Sequence, residues 1–349
     1  MKRCDFVDWL KAIGMFLIVF GHFFGEPYNQ LTQPVYPKQL GVAIFVFIMG
    51  WGLGKETRPK IQVAFNRIFP MFFWGIVVAL FISVLNLILN GDLMLSNYEP
   101  FVFGINVLFN GFPANPTTWF IGTYLHIILL WALILYRLNV TPVLLIASVI
   151  FEIFVRASLM ANDSIYIAYM SVPNWLTLFL LGMYMRDKQD SADSSGLLPI
   201  LAGWLAFTTL WVLLLNSLDV TGRFPFREVQ LASGLTNSLV TSCAISVVYM
   251  IHTVFFVAVF SKIKAGNLVR FFSRNTIIVF IGHMPFYFVL EPIVRQVFAS
   301  GWPKRLCIVI IMFVGLSLLS EFLRKVINVN ELKNRLWTLL NLQAIYRAS

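Results

Sequence analysis

The chain has 349 residues, of which 59% are hydrophobic and only 12% are charged, with a mean hydropathy of +0.80. A soluble domain carries about 25% charged residues, so this composition excludes an ordinary soluble enzyme and predicts that most of the surface faces lipid. The net charge of +10 does not indicate a nucleic-acid partner, because the basic residues lie in short loops where membrane topology explains them. Three scattered cysteines predict neither a disulfide framework nor a metal site.

Ten apolar segments are candidates for helices that cross the membrane, which needs roughly 17–25 residues. They lie near residues 6–25, 39–54, 70–90, 119–136, 141–160, 172–186, 197–217, 238–260, 276–295 and 303–323. The second and sixth are short. The apolar stretch 100–112 is too short to span, so we expect it to be interfacial or re-entrant. The sequence therefore predicts an all-α, polytopic membrane protein, with one integral membrane domain over residues 1–349.

The distribution of basic residues predicts how these helices are oriented. Of the 26 Lys and Arg residues, 18 fall in segments on the side of the N-terminus, 6 fall on the opposite side, and Lys11 and Arg156 lie inside spans. Cytoplasmic loops carry the excess of Lys and Arg. Both termini are therefore predicted to be cytoplasmic, and the loop 91–118 is predicted to be outside.

The first span carries ionisable residues at membrane depth, where such residues are costly and often functional. Lys11 and His22 are eleven residues apart, which is about three turns plus 20° and an axial distance of about 16 Å, so both point the same way. Asp8 lies one turn before Lys11 and can pair with it. The alternative is that Lys11 snorkels to the cytoplasmic interface while His22 sits near the outer headgroups.

Three more histidines lie within the predicted spans. His126 and His252 are interpreted as structural, hydrogen-bonded residues, because no Cys or carboxylate stands at ligand spacing around them. His283 precedes Pro285, which weakens the helix and can leave a backbone carbonyl without a partner.

Two Glu–Arg pairs repeat the spacing i, i+4 that lets a helix neutralise its own charges. Glu152 and Arg156 lie in the fifth span, and Glu291 and Arg295 lie at the end of the ninth. Both pairs can be structural. Alternatively, Arg156 or Arg295 binds an anionic group in an outer cavity.

Several motifs together resemble the membrane acyltransferase-3 family. Lys11, ten further residues and His22 resemble its opening motif of a basic residue, ten residues and histidine, and Lys at the basic position resembles the fucose 4-O-acetylase branch. Further similarities, in chain order, are residues 45–51 (phenylalanine-rich, then glycine), 67–70 (basic, then proline), 119–121 (Trp-Phe-Ile) and 273–283 (polar, ending in His283). Met49 departs from the family, in which serine is common at that position.

The resemblance covers nearly the whole chain and implies transfer of an acyl group, usually acetyl, from cytosolic acyl-CoA to a sugar hydroxyl. The donor is then a substrate, and no permanently bound cofactor or metal is expected. The expected partners are acyl-CoA, a glycan or lipid-linked sugar acceptor, and the lipids of a bacterial inner membrane. We expect no appended hydrolase-like domain, and we therefore expect this domain to complete the transfer alone or with a separate partner.

The residues suggest roles in such a transfer. Lys11, helped by Arg67, is expected to hold a phosphate of the donor as a point charge near the cytoplasm. His22 is expected to act as general base on the acceptor hydroxyl, or alternatively as a nucleophile that forms an acyl-histidine.

The developing oxyanion needs hydrogen-bond donors. Trp119 or Tyr124 can supply one, although aromatic residues at the start of a span are also typical of the interfacial belt.

Two other classes of function remain open from the sequence. Intramembrane Lys, His and Glu–Arg pairs also occur in proton-coupled transporters and flippases. Against that alternative, the chain has no internal repeat and no symmetric pair of broken helices. The third class is an assembly protein that catalyses no reaction. Such a function does not explain why Lys11 and His22 lie on one face of the first span. The acceptor, and the choice between acetyl and succinyl, are left open.

Overall fold

The computed structural model describes residues 4–23, 37–188, 196–216, 220–221, 226, 228–229, 233–297 and 301–340. Its α-helices are α1 (Asp5–Phe23), α2 (Pro37–Gly54), α3 (Lys60–Asn90), α4 (Trp119–Leu130), α5 (Pro142–Ala161), α6 (Ile165–Met170), α7 (Leu176–Asp187), α8 (Leu197–Asn216), α9 (Gly234–Phe260), α10 (Asn267–Arg274), α11 (Thr276–Val297), α12 (Trp302–Ile310), α13 (Leu316–Val326) and α14 (Val329–Leu339). The π-helical segments Trp131–Leu135 and Ile311–Gly315 extend α4 and join α12 to α13. The strands β1 (Val220–Thr221) and β2 (Glu228–Val229) form one short antiparallel pair.

The prediction of an all-α polytopic membrane protein is confirmed. Among the described residues, seven helices are long and apolar enough to cross a membrane, and two shorter apolar helices accompany them. The seven are Asp5–Phe23, Lys60–Asn90, Pro142–Ala161, Leu197–Leu214, Gly234–Phe260, Thr276–Val297 and Trp302–Val326, and the shorter two are Lys38–Gly54 and Trp119–Leu135. The orientation across the membrane stays a prediction from the charge asymmetry.

Two predicted spans differ from the helices observed. The third was expected over 70–90, but α3 begins at Lys60 and continues through Pro70 as 31 residues. The sixth was expected over 172–186, but a short 3-10 turn over Val172–Asn174 precedes the 12-residue α7. Pro173 lacks the N–H needed inside a helix, which favours its place at the start of that turn. The stretch 100–112 contains parts of two 3-10 helices, Leu95–Phe101 and Ile105–Leu108.

Helix α2 lies between α1 and α7 and is buried on nearly all sides. Glycines allow this close packing. A Cβ atom at Gly41 would lie 2.5 Å from the Gly14 carbonyl oxygen on α1. A Cβ atom at Gly50 would overlap the Phe179 carbonyl on α7. Small residues at helix contacts let membrane helices approach closely, so these positions fix α1 and α7 against α2.

The outer faces of the bundle are apolar. Phe81, Val84 and Ile88 of α3, for example, expose most of their side chains, as expected of a face that contacts lipid. By contrast, α14 is polar and exposed, and it rests on α3 through the rings of Phe65 and Trp337, whose centroids are 5.0 Å apart.

Candidate active site

One face of α1 lines two adjoining cavities. Val7, Lys11 and Ile18 line a large cavity of about 360 Å³, and Ile18 and His22 line a small cavity of about 40 Å³. Ile18 is shared by both cavities, as are Val42 of α2 and Phe280 of α11. These three apolar side chains form what we call the neck. The stripe predicted from helical spacing thus faces the interior of the bundle, with its lysine in one cavity and its histidine in the other.

Three basic side chains line the large cavity: Lys11 of α1, Arg67 of α3 and Arg274 at the end of α10. They come from three different helices, and two of them are the residues predicted to bind the donor. The rest of the wall is largely apolar, including Phe45 and Met49 of α2. This arrangement suits an anionic headgroup attached to an apolar or extended chain.

Arg67 is held in place by main-chain groups. Its Nη2 donates to the Gly52 carbonyl at 2.8 Å. The hydroxyl of Tyr124 donates to the Arg67 carbonyl at 3.2 Å. A Cβ atom at Gly52 would lie 2.7 Å from the Arg67 Nη2, so a larger residue there would displace the guanidinium. Tyr124 therefore belongs to the wall of the large cavity and supports Arg67.

Arg274 is oriented by a carboxylate on α13. Its Nε and Nη2 donate to the two oxygens of Glu321 at 2.9 and 3.0 Å, the bidentate geometry that fixes a guanidinium most firmly. Asn275 Nδ2 donates to the same carboxylate at 3.1 Å, and Ser320 donates to Asn275 at 2.8 Å. The junction between α10 and α11 is thereby fastened to α13, with Arg274 at the edge of the cavity.

The acidic residues at the start of α1 bind α10. Ser273 Oγ donates to Asp8 Oδ1 at 2.6 Å, and Arg270 pairs with Asp5 at 3.1 Å. Asp8 is buried, and this contact to α10 is one that the stripe of α1 alone did not suggest. Its position supports a role in holding α10, and hence Arg274, against α1.

The small cavity brings His22 together with His283, whose ring centroids are 5.0 Å apart. Lys38, in the first turn of α2, also lines this cavity and is almost fully buried. Thr117, just before α4, and Trp119, the first residue of α4, also contribute to the wall. A basic side chain and two imidazoles therefore surround a space of a few atoms.

The hydrogen bonds of His283 determine which ring nitrogen faces a ligand. Its Nδ1 lies 3.0 Å from the Val279 carbonyl and 2.9 Å from the Phe280 carbonyl. Because a carbonyl only accepts, Nδ1 carries the proton, and in the neutral ring Nε2 keeps its lone pair. The Nε2 atom is buried with no hydrogen-bond partner among the described residues. His283 thus offers an acceptor beside His22.

Pro285 leaves one backbone carbonyl of α11 without its helical partner, as the sequence suggested. A proline at 285 cannot donate to the Ile281 carbonyl in the helix. Instead, Asn115 Nδ2 and Thr117 Oγ1, each 3.1 Å away, bond that carbonyl. The segment before α4 is therefore docked onto α11 at Ile281, two residues from His283.

Arg156 lies elsewhere, in a closed cluster. It is 1% exposed and forms an ion pair with Glu152. Its other donors bond Asn174 at 2.5 Å, Ser246 Oγ at 2.9 Å and the Ser242 carbonyl at 2.8 Å. A guanidinium has five N–H donors, and here protein groups occupy every nitrogen. This geometry favours the structural ion pair over the anion-binding alternative.

The remaining candidates also have structural partners. His126 Nε2 lies 2.8 Å from the Phe103 carbonyl, and His252 Nδ1 lies 2.9 Å from the Val248 carbonyl. Arg295 pairs with Glu291, which also accepts from Lys304 at 2.7 Å. Neither cavity is lined by any of these residues. Within the described part of the chain, no group of three or more His, Cys, Asp or Glu side chains is placed to hold a metal ion.

The two proposed oxyanion donors are separated by the neck. Trp119 lines the small cavity with His22, whereas Tyr124 lines the large one, and the hydroxyl proton of Tyr124 is engaged by the Arg67 carbonyl.

The sequence did not predict Arg274 and Lys38 as site residues. Both had been counted only as loop charges that determine topology, and their helical neighbours gave no local signal that they face a cavity.

Comparison with known proteins identifies the family of this chain. The acyltransferase-3 family model, described as an acyltransferase domain, matches residues 5–321. No match is found among curated proteins, and none is found among solved structures. The matched range includes α1 to α11 and both cavities. The chain belongs to the acyltransferase-3 family and is a multi-pass membrane acyltransferase.

Proposed function

We propose that this protein is an O-acetyltransferase of a bacterial inner membrane. It takes an acetyl group from cytosolic acetyl-CoA and transfers it to a hydroxyl of a cell-surface glycan or a lipid-linked sugar. The observation that carries the proposal is the pair of adjoining cavities, with basic residues in the large one and two histidines in the small one. By the predicted topology, Lys11 lies towards the cytoplasm and His22 towards the outside.

The large cavity suits the donor. Lys11, Arg67 and Arg274 line it and provide positive charge for the phosphates of acetyl-CoA. Lys11 and His22 are about 16 Å apart along α1, a distance that requires an extended arm between headgroup and reacting atom. The pantetheine arm of coenzyme A carries the thioester at its far end. Its path would follow the apolar wall from Lys11 to the neck.

The small cavity suits the acyl group and the chemistry. A water-sized group needs about 10–15 Å³ of such space, so about 40 Å³ holds roughly three. This matches the three heavy atoms of an acetyl group and disfavours succinyl. His22 is then the general base or the nucleophile. The lone pair on His283 Nε2 lies beside it as an acceptor.

The test uses inverted membrane vesicles, whose cytoplasmic face is outside, from host cells that carry or lack the gene. Acetyl-CoA labelled in the acetyl group is added outside, and label is measured in the glycan fraction after alkaline release of O-esters. We expect gene-dependent label in inverted vesicles and none in right-side-out vesicles, where the donor cannot reach Lys11. Equal labelling with and without the gene would refute the proposal, and donor-independent movement of a glycan across the membrane would favour a transporter instead.

A further inference from the structure

We propose that Lys38 is a catalytic residue whose ammonium group stabilises the oxyanion formed when the thioester carbonyl is attacked beside His22. This inference rests on the proposed function, since it concerns the same transfer. Lys38 lies in the first turn of α2, and the sequence shows it only as one basic residue in an outer loop.

Lys38 lies close to the two histidines of the small cavity. Lys38 is 5% exposed and lines the small cavity together with His22 and His283. Its charge interacts electrostatically with the His22 ring. An ammonium group buried at the end of a membrane helix is costly to desolvate. A buried ammonium group is useful to the enzyme, despite this cost, if negative charge develops in the same space during each turnover.

The chemistry shows where that negative charge appears. The acceptor hydroxyl oxygen attacks the thioester carbon and forms a C–O bond, while the hydroxyl proton passes to His22. The π electrons of the C=O bond move to the carbonyl oxygen, which becomes the oxyanion. When the C=O bond re-forms, the C–S bond breaks, and the leaving thiolate takes the proton from His22. The products are an acetyl ester and coenzyme A with a free thiol. The acyl-histidine route passes through an oxyanion of the same kind.

The other polar groups of the small cavity are less suited to this task. The Thr117 hydroxyl has Asn115 Oδ1 at 2.7 Å and the Ile281 carbonyl at 3.1 Å as acceptors. The His283 Nδ1 proton is shared between two carbonyls. An ammonium group has three N–H donors, so Lys38 can keep a protein partner and still donate to a substrate oxygen. Lys38 also supplies a full positive charge, which an indole or hydroxyl donor does not.

The size of the small cavity separates this role from binding of an anionic acceptor. At about 40 Å³ the space holds an acetyl group and excludes a diphosphate. The charge of Lys38 is therefore directed at an atom of the reacting centre. Lys11, Arg67 and Arg274 line the larger space and remain the candidates for phosphate.

The experiment compares Lys38→Gln, Lys38→Met and Lys38→Arg with the parent, using labelled acetyl-CoA and inverted host vesicles at matched amounts of folded protein. Lys304→Gln is the matched control, because Lys304 is also a lysine with only 15% of its side chain exposed, lies on the predicted outer side and lines neither cavity. The apparent kcat and the KM for acetyl-CoA are measured for each. Unfolding temperature identifies the variants that are folded.

We expect each folded neutral variant to lose about 10²–10³ in kcat, the usual effect of removing one oxyanion donor, with the KM for acetyl-CoA changed less than about threefold. Lys38→Arg keeps the charge and is expected to retain at least a tenth of the parent rate. A neutral variant within about fivefold of the parent kcat overturns the proposal. A Lys38→Arg variant that is as inactive as Lys38→Gln also overturns the proposal. A parent that binds acetyl-CoA yet transfers no label overturns the proposed function itself.

Discussion

Arg67 and Arg156 are both guanidinium groups inside a membrane bundle, but their surroundings differ. Arg156 is enclosed by Glu152, Asn174, Ser242 and Ser246, and every nitrogen bonds to protein. The Arg67 guanidinium donates to the Gly52 carbonyl and lines the large cavity. The comparison extends to the histidines: His126 and His252 line neither cavity, whereas His22 and His283 line the small one. A buried charge indicates structure where protein groups satisfy it, and a buried charge or imidazole indicates ligand binding where it borders an open space.

The largest expected effect is the loss of acetyl transfer when His22 is replaced. His22→Gln should reduce acetyl transfer by about 10²–10⁴, since the amide cannot take and return a proton. Binding of coenzyme A should remain, because the basic residues of the large cavity are intact. His126→Gln is the control and should keep most activity, because its amide can still bond the Phe103 carbonyl. His283→Gln should fall between the two. His22→Gln with activity within threefold of the parent would remove His22 from the chemistry.

Arg156 is enclosed by protein groups, so its replacement should affect the stability of the protein and not its activity. Arg156→Met leaves Glu152 buried without its partner, which typically costs about 3–5 kcal/mol of folding free energy. We expect a large fall in unfolding temperature and little change in the rate per folded molecule. Arg335→Met removes an i, i+4 pair of the same spacing from an exposed position and should hardly change the unfolding temperature. An Arg156→Met variant with parental stability and altered KM for acetyl-CoA would contradict the structural role.

The basic residues of the large cavity should affect donor binding. Lys11→Ala should raise the KM for acetyl-CoA by about 10–150-fold, the range for losing one charged hydrogen bond, while Lys11→Arg should restore most of it. Lys60→Ala is a suitable control, because Lys60 begins α3 but does not line the cavity. Unchanged KM in Lys11→Ala would instead support the alternative in which Lys11 snorkels to the interface.

A smaller effect is expected at the neck. Val42→Ala enlarges the passage between the cavities, and one methylene of fit is worth about 10-fold or more in selectivity. Propionyl-CoA should therefore gain about tenfold relative to acetyl-CoA as donor. Val46→Ala, one turn along α2, is buried but lines neither cavity, and it should leave the ratio unchanged. Equal donor ratios in the two variants would argue against a size limit at the neck.

The smallest effect concerns a loop outside the spans. Hydrogen bonding from the Arg58 side chain holds the pKa of Glu56 below its usual value of 4.5. Because the folded pKa is lowered, the pair stabilises the protein above about pH 4.5, and this contribution is lost as pH falls through the lower folded value. The difference in unfolding temperature between the parent and Glu56→Gln should thus shrink on acidification from pH 7. A difference that is constant with pH would contradict this account.

The sequence predicted the helices and one face of the site, because both follow from local periodicity. Lys11 and His22 share a face of α1 by spacing alone. The proximity of His283, Lys38 and Arg274 could not be predicted, since it depends on how α2, α10 and α11 pack against α1. Contacts such as Gly14 with Gly41 and Asp8 with Ser273 determine that packing, and each joins residues far apart in the chain.

The cluster around Arg156 also could not be predicted from sequence alone. The spacing of Glu152 and Arg156 predicted an ion pair but left its role open, because the deciding partners come from other elements. Asn174 lies in the turn before α7, and Ser242 and Ser246 lie on α9. Nothing in α5 alone indicates that they saturate the guanidinium.

The neck has a consequence for the cell that holds this protein. The proposed transfer would bring substrates from both faces of the membrane towards one centre, and an open passage at that point would threaten the proton gradient. Ile18, Val42 and Phe280 offer no side-chain hydrogen-bonding group at that point, so a continuous file of water has nothing there to hold it. Under the proposed function, the three side chains shared by the cavities would thus also serve as an electrical seal, so that transfer across an energised membrane would not discharge it.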